Sequence, residues 1–447
     1  MNNTKTLCNM AWDYPMFFMF TNHFGYCCRT PKIDIDNAVL EEMGEDFFSN
    51  HPHFVKRRQD LANGIQSSDC KTCWQLEDKG FKSSRTDQGF KNFMMKNKTP
   101  MNNLSYDQVH TIPNIEQSNY TNVIEIVLNN TCDAKCTYCS EFYSTQWVSE
   151  KKKHNDLHPH YVPQEHRNPR AEELFWSWYN NKTIKTVRRF GFIGGEPFII
   201  DALYECFDKL IEIHENTNVR EDKIELCITS NMNTPPAYFQ KFLSYVPKLS
   251  KYFNIIIQVS GENIGADLEY VRHGVKWDRW KNNVEYLLAN TEVKLSFLPC
   301  LNLLTIPRFI EYLRYFEMLC KKYGYMDIYH NIVTWPTEQS PMTAPKEFAK
   351  YFDKCIELVE RLNLAKDLYS YKHFLEWLIQ TRDAILNNPT ESDANPNALN
   401  FYLFFAKLDE RRRTSLLNVF PEFDTYYNVG KSLAKPEPKI ISIHVHE

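Results

Sequence analysis

Glycine is scarce, at 13 of 447 residues, so turns that demand a positive φ are few and each one carries information. No stretch approaches the ~18 uninterrupted apolar residues of a membrane-spanning helix. The first twenty residues, MNNTKTLCNMAWDYPMFFMF, lack the basic start, apolar middle and small-residue cleavage site of a secretory leader. Neither sign of charge dominates: 52 Lys and Arg against 56 Asp and Glu leave a net charge of −4. That balance supplies no whole-molecule attraction for a nucleic-acid duplex or an anionic membrane, although a local patch keeps nucleic acid open as a partner. The basic runs at 151–153 and 411–413 read as solvated surface. Internal repeats and low-complexity tracts are missing too. These absences predict a soluble, cytoplasmic protein with no membrane partner. Its composition, 43% hydrophobic and 24% charged, is that of a packed globular chain, and its length predicts two or three structural units.

Cysteine is abundant, at 13 residues. In a reducing compartment such thiols serve as metal ligands, catalytic groups or buried small hydrophobes rather than as a disulfide framework. Cys8, Cys27, Cys28, Cys70 and Cys73 fall near the N-terminus, and Cys132, Cys136 and Cys139 sit together. Cys206, Cys227, Cys300, Cys320 and Cys355 are scattered and read as buried side chains. Cys300, at the end of a predicted strand, is the one positioned to face a cavity.

Between 123 and 335, short β-branched apolar runs alternate with longer amphipathic segments, the pattern of βαβ units on a parallel sheet. Strands are predicted over 123–128, 187–193, 224–230, 254–260, 293–299 and 326–333. Helices are predicted over 171–181, 201–214, 237–246, 278–290 and 307–323, where Leu203, Phe207, Leu210 and Ile211 are spaced for one face. Six such units predict an α/β fold of the partial (β/α)6 TIM-type barrel kind. Residues 1–95 break the rhythm and form a separate cysteine-rich domain, 96–118 a linker, 119–336 the barrel core and 337–447 a helical region. Within that last region, helices are predicted over 346–362, 370–386 and 400–417.

The first core strand leads into Cys132-Asp133-Ala134-Lys135-Cys136-Thr137-Tyr138-Cys139, a C-x3-C-x2-C loop. Three thiolates on a short loop can bind three irons of a cubane cluster and leave the fourth open to a ligand. A structural zinc would want a fourth Cys or His, and none lies at local spacing. The second strand ends in Gly194-Gly195-Glu196-Pro197, where paired glycines allow close approach to the main chain. Thr229-Ser230-Asn231 and Ser260-Gly261-Glu262 end later strands, and in a βα barrel those ends face the active site. Alternatively, these are ordinary cap and turn residues. The long loop 148–170, with His154, His158, His160 and His166, reads as a lid or substrate-contacting segment.

The C-x3-C-x2-C loop, the GGEP sequence and the six-unit alternation resemble the radical S-adenosylmethionine (SAM) superfamily. The resemblance extends to its twitch- or SPASM-domain members. It is carried by Cys8 with Trp12, Gly25 with Cys27-Cys28, and Cys70-Lys71-Thr72-Cys73 followed by Glu77, Gly80, Ser84 and Arg85. It continues in Glu269-Tyr270-Val271-Arg272-His273-Gly274 with Trp277, Leu408-Asp409-Glu410-Arg411-Arg412, and Phe420-Pro421-Glu422.

The resemblance implies a [4Fe-4S] cluster on Cys132, Cys136 and Cys139 whose open iron chelates SAM. It also implies cofactor contacts from Tyr138, Gly194, Gly195, Glu196, Ser230, Asn231, Ser260 and Glu262, with Arg272 as partner to the SAM carboxylate. An auxiliary iron–sulfur cluster is implied on Cys8, Cys70, Cys73 and either Cys27 or Cys28. Cys27 is favoured, although it follows Gly25 by only two residues, unlike the usual family spacing. The implied activity is that of an oxidoreductase or isomerase: reductive cleavage of SAM, with hydrogen abstraction from a peptide or protein side chain and a reductant such as flavodoxin or ferredoxin. A nucleotide or nucleic-acid base is the alternative substrate, and a zinc-stabilised binding protein the non-enzyme alternative.

Overall fold

The computed structural model describes residues 6–78, 83, 85–86, 121–217, 222–366 and 368–434. The predicted linker 96–118, together with Gly80 and Ser84, lies outside the described residues. The chain divides into two compact units. The first comprises 1–135, 139–260 and 278–297, and the second 136–138, 261–277 and 298–447.

The first unit is built on a sheet. Its strands are β1 (Pro15–Phe18), β2 (His23–Tyr26), β3 (Ile33–Asp34), β4 (Val123–Val127), β5 (Arg189–Ile193), β6 (Ile224–Ser230), β7 (Phe253–Val259) and β8 (Lys294–Phe297). They lie in the order β8-β7-β6-β5-β4-β1-β2-β3. Strands β4 to β8 are parallel neighbours in chain order. The helices Pro169–Trp178, Asp201–Thr217, Pro236–Leu249 and Trp277–Asn290 run between successive strands, as the alternating pattern predicts. The last predicted strand, 326–333, is broken into two short pieces, Asp327–Ile328 and Asn331–Ile332.

Alternation along the strands separates two faces. Ile124 and Ile126, Phe190 and Phe192, Leu226 and Ile228 are fully or almost fully buried, as are Leu203, Phe207 and Leu210 on the helix 201–217. Each such side chain contributes about 1.5–3 kcal/mol when taken out of water. The opposite face carries Glu125, Gly191, Cys227 and Ile256 in one register row. There Glu125, Val127, Ile193, Thr229 and Gln258 are only partly buried.

Residues predicted to form a separate N-terminal domain join this sheet. β1 pairs in parallel with β4, matching Met16 to Glu125 and Phe18 to Val127, while β2 and β3 extend it antiparallel. Cys8, Trp12, Met16, Cys27, Cys70, Trp74 and Val123 share one buried cluster. The first core strand is thus part of the packing that surrounds the N-terminal thiols.

The second unit is mainly helical, with Phe309–Tyr323, Lys350–Lys366, Tyr369–Ile385, Pro396–Arg412 and Asp424–Leu433 as its longer helices. The motifs noted at 269–274, 408–412 and 420–422 meet there. The Tyr270 hydroxyl donates to Asp409 at 2.8 Å, its ring packs edge-on to Phe420 at 5.8 Å, and Glu422 pairs with Arg308 at 2.7 Å.

Candidate functional site

The N-terminal thiols converge. Cys8, Cys27, Cys70 and Cys73 line one cavity together with Met10, Ala11, Arg29, Thr30, Arg57 and Arg85. All four are buried, at 8%, 6%, 7% and 6% exposure, whereas Cys28 is exposed and does not line the cavity. The local chain explains the choice between the paired cysteines. Cys27 follows β2 with φ +71, its amide donating to the Tyr14 carbonyl at 2.9 Å, so the backbone reverses there. Burial pushes the Cys8 thiol up, and its neighbours Cys27 and Cys70 add to the effect. Burial likewise pushes Cys70 up to about 12. Cys27 moves the other way, to about 6, held down by Cys28 against its own burial and helped by the Arg29 amide, Arg57 and Lys32.

Among the described residues no three His, Cys, Asp or Glu side chains are grouped to hold a single metal ion. Four buried cysteines lining one cavity supply an all-thiolate donor set, which suits an iron–sulfur cluster and a tetrahedral zinc alike.

The second thiol group is local in sequence. Cys132, Cys136 and Cys139 are each partly exposed. Around Cys132 the backbone is pinned by the start of the helix Thr145–Lys153. The Thr145 hydroxyl accepts from the Cys132 amide and donates to its carbonyl, both at 3.2 Å. Ser144 caps the helix and donates to the Ala134 carbonyl at 2.5 Å. In the second unit, the Thr137 amide donates to Val271 at 2.7 Å, and the Tyr138 hydroxyl donates to Glu262 at 3.0 Å.

Gly194 and Gly195 admit the chain's own backbone. A Cβ on Gly195 would stand 2.2 Å from the Thr131 carbonyl oxygen, and one on Gly194, at φ +150, would stand 2.9 Å from that of Asn129. The Gly195 amide donates to the Asn129 carbonyl at 2.9 Å and the Glu196 amide to that of Thr131 at 2.8 Å. The close approach read in the glycine pair therefore seats the turn after β5 against the residues leading into Cys132.

Glu196 is fully buried. One carboxylate oxygen accepts from the Ser230 hydroxyl at 2.8 Å and the Phe198 amide at 3.3 Å, the other from the Asn231 amide at 2.7 Å. Burial, reinforced by nearby Asp133, pushes its carboxyl up to about 8 despite these donors. Asn231 and Asn233 donate side-chain amides to Asp133 at 2.8 and 2.7 Å. Asp133 was not among the predicted site residues. Its signal is a lone acid inside the cysteine loop, answered by the Asn-x-Asn at the end of β6. The Ser260 amide donates to the Ser230 carbonyl at 2.8 Å, joining the ends of β6 and β7.

Arg272 forks onto Glu262, with Nε–Oε1 3.0 Å and Nη2–Oε2 2.8 Å. Both are buried. Burial opposes the charge on Arg272, but Glu262 and Tyr138 outweigh it and hold the guanidinium protonated. Near Cys139, the predicted lid folds back on its own base. Glu141 pairs with Lys151 at 2.8 Å and accepts the His158 amide at 3.1 Å, while Gln164 donates to the Phe142 carbonyl at 2.8 Å. Lys151, read as solvated surface, is thus engaged with a buried acid.

No protein-family model and no curated protein matches the sequence. Among solved structures, polyhistidine-tagged anSMEcpe with bound AdoMet is similar at 17% identity and a TM-score of 0.38, over 54% of this chain and 62% of that one. Native anSMEcpe with bound AdoMet is 17% identical over 63% and 67% of the two chains, with a TM-score of 0.37. Native anSMEcpe with bound AdoMet and Kp18Cys peptide is 16% identical over 53% and 59%, with a TM-score of 0.36. The similarity therefore spans less than two thirds of the first of these chains.

Proposed function

We propose that this protein is a radical SAM enzyme that modifies a peptide or protein side chain, with an electron-transferring auxiliary cluster on Cys8, Cys27, Cys70 and Cys73. The observation that carries the reading is the Cys132–Cys139 loop. It is a C-x3-C-x2-C sequence directly after the first core strand, with partly exposed thiols and a following turn, Gly194-Gly195-Glu196, seated against its entry by backbone hydrogen bonds.

A [4Fe-4S] cluster held by Cys132, Cys136 and Cys139, when bound, supplies the electron that splits the sulfonium of SAM into methionine and a 5′-deoxyadenosyl radical able to take a substrate hydrogen. The chain's own part is positioning. Ser144 and Thr145 fix the backbone between Cys132 and Ala134. Asp133 and Glu196 tie that loop and the end of β5 to the end of β6 through Asn231, Asn233 and Ser230. A ligand held at this rim meets groups already oriented by one another, which removes reorganisation from the reaction. A cluster held by all four N-terminal thiols would have no ligand position left over, which would suit electron transfer rather than substrate binding. The peptide substrate class and a flavodoxin or ferredoxin reductant follow from the family resemblance.

Anaerobically reconstituted protein with dithionite should form 5′-deoxyadenosine from SAM. Cys136→Ala should lower that rate by more than the ~100-fold typical of losing an outer-shell partner of a metal site. Formation that persists in the variant overturns the assignment.

A further inference from the structure

The N-terminal cavity holds an incompletely paired cation. Arg57 is 1% exposed and lines the cavity with the four thiols. Its Nη1 donates to the Thr30 hydroxyl at 2.9 Å and stands 3.6 Å from Asp69, and its guanidinium lies over the Phe54 ring at 5.5 Å. Its Nε and Nη2 are buried without a hydrogen-bond partner among the described residues. Arg85, the other buried arginine on the cavity, is instead forked onto Glu77. A buried donor left unmade costs free energy, more so on a charged group. Arg57 therefore has two donor nitrogens, Nε and Nη2, for which the described residues provide no acceptor.

Four thiolates around iron and sulfide make a group with net negative charge, and hydrogen bonds to its sulfurs with nearby positive charge set its potential. We propose that Arg57 is a positioning residue for the auxiliary cluster. Its Nε and Nη2 donate toward the cluster's sulfur atoms, and its charge favours the reduced form. The inference rests on the proposed auxiliary cluster and deepens it. Adding one electron makes the cluster more negative, so a fixed guanidinium stabilises the product of reduction more than the reactant and raises the midpoint potential. The two arms of the side chain divide the work: Nη1 is anchored by Thr30 and Asp69, and the fork edge is left for the cluster.

The test uses the full chain carrying Cys132→Ala, Cys136→Ala and Cys139→Ala, so that only N-terminal iron is observed, with a redox titration followed by electron paramagnetic resonance. Arg57→Gln should keep its iron while the reduced-to-oxidised ratio, read at the parent's midpoint, falls about tenfold. Arg57→Lys keeps the charge but loses the forked donors and should fall between the two. Arg85→Gln, removing an already paired cation, should shift the ratio less. An iron-loaded Arg57 variant with the parent's midpoint overturns the proposal. Loss of iron with the thermal melt of the iron-free parent supports it, and loss of the fold in both Arg57 variants makes the residue structural and overturns it. A parent that binds no iron refutes the auxiliary-cluster reading itself, a different failure.

Discussion

The two thiol groups are assembled in opposite ways. Cys8, Cys27, Cys70 and Cys73 come from separate segments and meet in a buried cavity, whereas Cys132, Cys136 and Cys139 follow one another on a single loop and stay partly exposed. Whatever binds the first set closes long stretches of chain, so its binding free energy becomes folding free energy. The second set can exchange a ligand without disturbing the core, because Ser144, Thr145 and Gly195 hold the loop's entry and leave its thiols accessible. On the proposed reading, a buried set of four thiols and a partly exposed, local set of three would suit transfer of an electron and ligand chemistry, respectively.

Breaking the nonlocal set should give the largest effect. Cys27→Ser should remove the N-terminal iron and lower stability by several kcal/mol, the scale of a lost folding-coupled metal site. Cys28→Ser should leave iron content and melting temperature as they are, because Cys28 lies outside the cavity lining. Iron assays and thermal melts of the two variants check the contrast, and equal losses would mean that the cavity does not select between them.

The same contrast explains what could be read from the sequence. Local spacing announced the Cys132–Cys139 loop, and short apolar-rich runs such as Ile224–Ser230, with Ile224, Leu226 and Ile228 on one buried face, announced the parallel strands. β1 escaped notice because its pairing with β4 joins residues more than a hundred positions apart, beyond any local periodicity. Arg57 and Arg58 escaped because arginine reads as surface. Yet with Phe54 and Leu61 they fall at i, i+3, i+4 and i+7 of the helix Pro52–Ala62, the spacing of a buried stripe. A cation on such a stripe is the available clue to an internal anion. Arg272 on Glu262 and Glu196 on Ser230 are contacts between separate elements that local spacing does not announce.

Gly195→Ala sharpens the comparison at the open site, with an intermediate effect. The added methyl would meet the Thr131 carbonyl at 2.2 Å, and neither backbone can yield without moving the entry to Cys132. A loss of about 3 kcal/mol is expected, together with loss of 5′-deoxyadenosine formation and retention of the N-terminal iron. A variant that loses both iron sites equally would show that the two groups are not independent.

The smallest effect comes from Glu196, through pH. Its carboxyl is raised from 4.5 to about 8 by burial and by Asp133, so the folded state keeps a proton that the unfolded chain releases above about pH 4.5. The proton favours folding, and this contribution is complete below the unfolded value, declines as pH rises, and is gone above about pH 8. Within the window each pH unit costs ~1.4 kcal/mol, so raising pH from about 6.5 to about 8 should remove at most ~2 kcal/mol. Glu196→Gln, neutral at every pH, should abolish that portion of the slope. Buried Asp13, also raised to about 8, contributes in the same direction in both proteins. The quantity to read is therefore the difference between wild-type and variant stability at the two pH values. A difference independent of pH would place the charge on Glu196 throughout, with the donors from Ser230, Asn231 and Phe198 prevailing over burial.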